Sequence, residues 1–119
     1  MNHAQYQKTP SLPISQESNQ LDLKVDGVIP SELDGIYVRN GPNPVGEISS
    51  TQHYFSGHGM VHGGRLSEGR ALWYRNQIVR AGDVSQILGE FAPGRPIAHG
   101  IDVSPNTNVA AFGDRLYTT

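Results

Sequence analysis

Glycine placement constrains this chain more than any other feature. The stretch from His53 to Arg80, HYFSGHGMVHGGRLSEGRALWYRNQIVR, sets glycines at 57, 59, 63 and 64 around Met60, Val61 and His62. A helix through such a cluster would lose about 1 kcal/mol per glycine relative to alanine. A short strand hemmed in by glycines instead accommodates tight turns and close backbone approach. Residues 71–80 follow with bulky and β-branched side chains suited to a pleated surface. Ser67-Glu68-Gly69 between them reads as a three-residue loop with Gly69 in the left-handed position. The spacing predicts a β-hairpin over 60–80. Symmetrical pairing about Glu68 would set Leu66 opposite Arg70, Gly64 opposite Leu72 and His62 opposite Tyr74, to within one residue.

Elsewhere the same logic argues for an all-β chain. Fourteen glycines and eight prolines in 119 residues disfavour long helices and favour short antiparallel strands joined by tight hairpins. A hydrophobic content of 36% in that length suits one compact unit or part of one. The nine Lys and Arg residues are scattered and the net charge is −2, which disfavours nucleic acid as a partner. Without cysteine the chain forms neither disulfides nor thiolate metal sites and suits a reducing compartment. No apolar stretch has signal-peptide length, and nowhere do about 18 apolar residues run together. The expectation is a cytoplasmic protein without a transmembrane segment, with peripheral membrane contact left open.

Taken in order, residues 1–20 are rich in Gln, Ser, Asn and Pro and carry no periodicity, so a disordered polar tail is expected, His3 and Tyr6 included. Leu21, Leu23 and Val25 alternate with Asp22, Lys24 and Asp26, which predicts a half-buried strand over 21–28 and the start of the domain, 21–119. Ser31 can cap a single helical turn that Gly35 ends. Ile36–Arg39 is expected as a strand, and Asn40-Gly41-Pro42-Asn43-Pro44 as the turn that leaves it. Residues 47–52 read as a surface loop and His53, Tyr54 and Phe55 as a brief strand. Asp83 and Gln86 before Gly89 suggest a helical turn over 83–88. Residues 93–108, with His99, carry turn chemistry. Gly113-Asp114 should close a hairpin between 109–112 and 115–119.

Three histidines invite a metal-site reading. His58 and His62 are four apart, a spacing that joins two ligands on a helix; on a strand it leaves them about 13 Å apart, too far for one ion. The residues alone leave open a small zinc protein using His53, His58 and His62. Gly57-x-Gly59 with Gly63 is followed by a hairpin and no helix, which argues against a dinucleotide loop. Phe55, Trp73 and Tyr74 are read as core more than as a substrate tunnel. Arg75 and Arg80 are read as solvated or paired surface charges, and Arg39 as a residue that binds a carboxylate fixing the neighbouring loop.

Several motifs, in order, resemble one family. Ile36-Tyr37-Val38-Arg39-Asn40-Gly41-Pro42-Asn43-Pro44, Tyr54-Phe55 through Gly59-Met60-Val61-His62-Gly63, Trp73-Tyr74-Arg75-Asn76 with Val79-Arg80, and Asn106-Thr107-Asn108-Val109 are similar to the carotenoid cleavage oxygenases, which include apocarotenoid and lignostilbene dioxygenases. The resemblance covers about 23–119. It implies part of a seven-bladed β-propeller and an enzyme that uses Fe(II), held by four histidines, and O2 to split a conjugated carbon–carbon double bond of a carotenoid, apocarotenoid or stilbene into two carbonyl products. Its partners would be O2 and an apolar polyene or stilbene.

In that family the iron-binding histidines lie downstream of the Asn-Thr-Asn segment. The resemblance therefore places the Fe(II) ligands past Thr119 and assigns no catalytic residue, no cofactor-binding residue and no metal ligand within 1–119. With blades of about 40–45 residues, 23–119 supplies about two, so the expectation is an N-terminal piece, inactive alone. The alternative is a stand-alone β-rich binding or interaction module derived from such an enzyme. One departure stands out: His58 sits where the family commonly has an acidic residue between two glycines.

Overall fold

A computed structural model describes residues 12–46, 57–80, 84–90 and 105–119. Among these, the elements run β1 (Asn19–Leu21), β2 (Gly35–Pro42), β3 (Gly59–Ser67), β4 (Arg70–Ile78), α1 (Val84–Ile87), β5 (Val109–Phe112) and β6 (Arg115–Thr118). The first four strands make one antiparallel sheet in the order β1-β4-β3-β2, and β5 and β6 make a second.

The glycine-rich hairpin forms, with a different turn and register from those expected. Its loop is two residues, Glu68 and Gly69, with φ of 51° and 74°. Two successive left-handed residues match the right-handed twist of the flanking strands, so Ser67 joins the ladder opposite Arg70. A bulge then shifts the pairing between Arg65 and Leu66, which leaves Leu72 as the extra residue. Gly64 consequently faces Tyr74, and His62 faces Asn76.

Strand β2 runs longer than its sequence suggests, through Pro42, which pairs with Gly59. It is an edge strand, and a proline there needs no ladder donor on its open side. The strand expected over 21–28 is displaced: β1 ends at Leu21 because Asp22 takes a φ of 48°. Two further backbone bonds, from Asp22 and Leu23 to the carbonyls of Leu72 and Ala71, follow this kink.

The tail expected over 1–20 is described from residue 12, and that part is pinned to the sheet. Asn43 exchanges two side-chain bonds with the Ile14 backbone, at 2.7 and 2.9 Å. Asn76 bonds the Ser18 backbone in both directions. Glu17 accepts from the Ile78 amide at 2.7 Å and pairs with Arg80. These contacts lie far away in sequence, which is why local composition read the segment as free.

Ser31 and Glu32 form a reverse turn closed by Leu33 N–H to Pro30 O, and Gly35 opens β2. The helical turn near residue 84 ends on Gly89, φ 68°. Gly89 N–H bonds Gln86 O and Glu90 N–H bonds Ser85 O, the paired bonds of a Schellman cap. The β5–β6 hairpin closes at Gly113-Asp114 as expected, with Phe112 opposite Arg115. The readings made for residues 47–56, including His53, Tyr54 and Phe55, and for His3, Tyr6 and His99, lie outside the described residues.

Alternation along paired strands puts Arg39, Met60, His62, Tyr74, Asn76 and Ile78 on one face of the sheet. Met60 and Ile78 pack there with Val84 of α1 into the buried apolar cluster, flanked by Val45 and Leu88. The opposite face carries Ile36, Gly63 and Trp73, and at its Asn40 and Gly59 end meets the segment that leads into β5.

Candidate functional site

The chemistry-bearing side chains gather in two places on the first sheet. On the Met60 face, directly beside the apolar cluster, His62 and Asn76 face each other across β3 and β4 and are both buried. The Tyr74 hydroxyl lies 2.7 Å from His62 Nδ1, and Asn76 Nδ2 donates to the same oxygen at 3.1 Å. Asn76 Oδ1 accepts from the Ser18 amide, so its side chain is used at both ends. One proton lies between the Tyr74 hydroxyl and His62 Nδ1, given by the hydroxyl in the Nε2–H tautomer of the imidazole and by the ring in the Nδ1–H tautomer. Burial, and secondarily the Arg39 guanidinium, hold the His62 pKa below its ordinary value. Both effects favour the neutral imidazole over the charged one.

Arg39 stands opposite His62 on β2 and is exposed. The carboxylate expected to pair with it is not found among the described residues. Arg80, by contrast, is paired. It makes a bidentate contact with Glu90, at 2.8 and 3.1 Å, and a second with Glu17. Hydrogen bonds to Glu90 and then Glu17 raise its pKa, and those from Arg80 lower the pKa of both carboxylates. Arg75 lies 4.9 Å over the half-buried Trp73 ring and bonds Asn19 at 3.0 Å. Trp73 is thus covered by a cation on one side and packs toward Ile36 across Gly63 on the other.

The second gathering is the junction between the sheets, and it unites motifs far apart in sequence. Asn40 Nδ2 donates to Pro105 O at 2.8 Å and Asn108 O at 3.2 Å, and Asn106 Nδ2 donates to Gly57 O at 2.7 Å. A Cβ at Gly59 would lie 2.1 Å from Pro105 O, so only glycine permits this approach. Asn40 Oδ1 is buried there without a partner among the described residues. Sequence reasoning named these motifs without seeing that they meet, because their contacts join residues 49 to 68 positions apart.

His58 occupies the position where an acidic residue is expected. Its Nδ1 accepts from the Val45 amide at 3.1 Å, a bond that a carboxylate oxygen would also accept. Hence His58 and His62 turn their Nδ1 atoms to different protein partners. Among the described residues no group of three or more His, Cys, Asp or Glu could hold a metal ion. The donor set therefore does not fit an iron centre. No helix among them is long and apolar enough to cross a membrane.

Comparison with known proteins agrees with this geometry. Residues 11–119 match the family model described as retinal pigment epithelial membrane protein. A carotenoid cleavage oxygenase of Mycobacterium tuberculosis is 48% identical over 106 residues, which cover 87% of this chain and 21% of that protein. A carotenoid 9,10(9',10')-cleavage dioxygenase of Arabidopsis thaliana is 39% identical over 67 residues, covering 56% and 12%. Among solved structures, a Pseudomonas brassicacearum lignostilbene dioxygenase superposes with a TM-score of 0.70 at 23% identity, covering 87% of this chain and 24% of that one. A cobalt-substituted Synechocystis apocarotenoid oxygenase gives 0.69 at 26%, covering 87% and 25%. The chain thus spans about a fifth of the length of the first curated relative. Its antiparallel sheets match the N-terminal portion of the seven-bladed β-propeller that these proteins share.

Proposed function

Since the chain belongs to the carotenoid cleavage oxygenase family, we propose that it supplies the N-terminal part of a non-haem Fe(II)-dependent dioxygenase. That enzyme would cleave a conjugated carbon–carbon double bond of a carotenoid, apocarotenoid or stilbene with O2 and release carbonyl products. The observation that carries this reading is the 48% identity to a carotenoid cleavage oxygenase along 87% of the chain. In this reading the propeller portion expected over 21–119 takes in the pinned segment from residue 12. The iron ligands lie in sequence beyond Thr119, and the chain's own contribution is structural: a first blade and the junction to the next. A cytoplasmic setting, with peripheral contact to the membranes that hold apolar polyenes, fits such a substrate.

Two measurements test it. Sequencing the gene past the codon for Thr119 should reveal an open frame with a glutamate and then widely spaced histidines. The protein made from that whole frame, supplied with Fe(II), should convert an apocarotenoid or a stilbene to aldehydes, and residues 1–119 alone should not. A stop codon directly after Thr119, with no companion chain, would exclude the dioxygenase and leave the binding module as the reading.

A further inference from the structure

The Met60 face carries two side chains, Arg39 and His62, with hydrogen-bonding atoms that have no partner among the described residues. Arg39 and His62 are cross-strand partners, and neighbours so paired hold their Cβ atoms about 5 Å apart. The Arg39 guanidinium has no hydrogen-bond or ion-pair partner among the described residues. His62 Nδ1 is engaged with the Tyr74 hydroxyl, and Nε2 has no hydrogen-bond partner among the described residues. The ring is held in place from behind by Asn76, Tyr74 and the Ser18 backbone. Each glycine that flanks the pair on this face has a side chain across the ladder, Met60 opposite Gly41 and Tyr37 opposite Gly64. Gly41 is the next residue of β2 on this face, and the Arg39 Nη1 lies 3.9 Å from the place of a Cβ there. Gly64 is the next residue of β3 on it, and a Cβ there would have Trp73 O at 3.9 Å.

We infer that Arg39 and His62 form a receptor for one carboxylate. The guanidinium offers a planar fork that suits two carboxylate oxygens, and a bound carboxylate would select the imidazole tautomer in which Nδ1 accepts from Tyr74 and Nε2–H is a third donor. With His62 neutral, the site carries a single positive charge, which one carboxylate balances and a phosphate dianion would exceed. Gly41 adds no side chain beside the guanidinium, and Tyr37, opposite Gly64, is exposed and borders the approach. The carboxylate can come from a free small acid or from an Asp or Glu of polypeptide lying on this face. This site is independent of the iron chemistry proposed above.

The test is a titration of the 119-residue chain, labelled with 15N-histidine, with sodium acetate at pH 7.5, matched against sodium chloride at equal ionic strength. A saturable shift of the His62 Nε2 resonance with acetate alone is expected, weakened at least tenfold in Arg39→Gln and less in Arg39→Lys. A shift that instead grows with protein concentration in carboxylate-free buffer, and is lost in Arg39→Gln, assigns the carboxylate to a protein side chain. If neither shift depends on Arg39 in variants with a wild-type circular dichroism melt, the assignment is overturned. The dioxygenase assay of the whole frame is a separate readout, so the failure of either reading leaves the other standing.

Discussion

At the scale of single residues, glycines with similar sequence surroundings do different work. Gly59 is pressed against a backbone carbonyl, so an added methyl meets Pro105 O at 2.1 Å and the Val79 side chain at 3.2 Å. Neither carbonyl nor strand can move away cheaply. Gly59→Ala should lose roughly 1–3 kcal/mol to overpacking, read as a lower urea midpoint. Gly63 is the contrast, since its added Cβ would meet nothing nearer than Trp73 at 3.6 Å and Ile36 at 3.7 Å. Gly63→Ala should leave the midpoint unchanged or raise it, because alanine also restricts the unfolded chain. Equal losses in the two variants would show that strand propensity, not the junction, selects glycine here. Tyr74→Phe strips His62 Nδ1 and Asn76 Nδ2 of the hydroxyl they share as a partner. A cost of about 1–3 kcal/mol is expected for leaving such buried groups unpaired, measured in the same denaturation.

Elements were legible where their signals are local. The two hairpins follow from glycine-bearing loops between strand-forming runs, and the turn at Val84–Ile87 from Gly89 at its end. The residue count of the β3–β4 loop was not, because Glu68 at positive φ competes with the symmetric alternative and only the closed ladder decides. Least legible was β1, whose Asn19 and Gln20 carry no apolar pattern and whose partners, Tyr74 and Arg75, lie more than fifty residues on. The candidate site suffered the same way: His62 and Tyr74 were correctly brought near each other, but Asn76, the residue opposite His62, came from the bulge. The pinned segment has a pH dependence of its own. Arg80 holds the Glu17 carboxyl below its ordinary pKa, so the unfolded chain takes up this proton first on acidification. The stability this adds is full above the ordinary carboxylate range and is lost as pH falls through the depressed Glu17 value. His62 acts in the same direction at higher pH, because burial lowers its pKa: its contribution begins to fall below about pH 6.5, the ordinary histidine value. Melting temperature should therefore decline in two stages from pH 7 to pH 3. Glu17→Gln should flatten the lower stage and leave the upper one, and a single stage unchanged by the substitution would refute the assignment.

At the scale of the whole molecule, the two sheets are joined among the described residues by few atoms. One asparagine amide, Asn40 Nδ2, spans from the edge strand β2 to the carbonyls of Pro105 and Asn108, and Asn106 returns a bond to Gly57 O. The hairpin β5–β6 adds little apolar burial to hold itself there, with Phe112 77% exposed and Leu116 55% exposed. Polar junctions therefore orient the second sheet, and exposed apolar side chains wait on it for cover. In a propeller such cover comes from the next layer, which is why blades packed in a ring need precise junctions at their glycine corners. Asn40→Ala removes both bonds to the 105–108 segment while leaving Gly59 against Pro105. The hairpin should then open independently of the first sheet. Amide exchange at residues 109–118 should accelerate by about tenfold, the equivalent of roughly 1.4 kcal/mol for bonds worth about 0.5–1.5 kcal/mol each, while β3 and β4 keep their protection. Uniform acceleration across both sheets would mean that the two unfold as one unit and that Asn40 contributes to global stability instead of orientation.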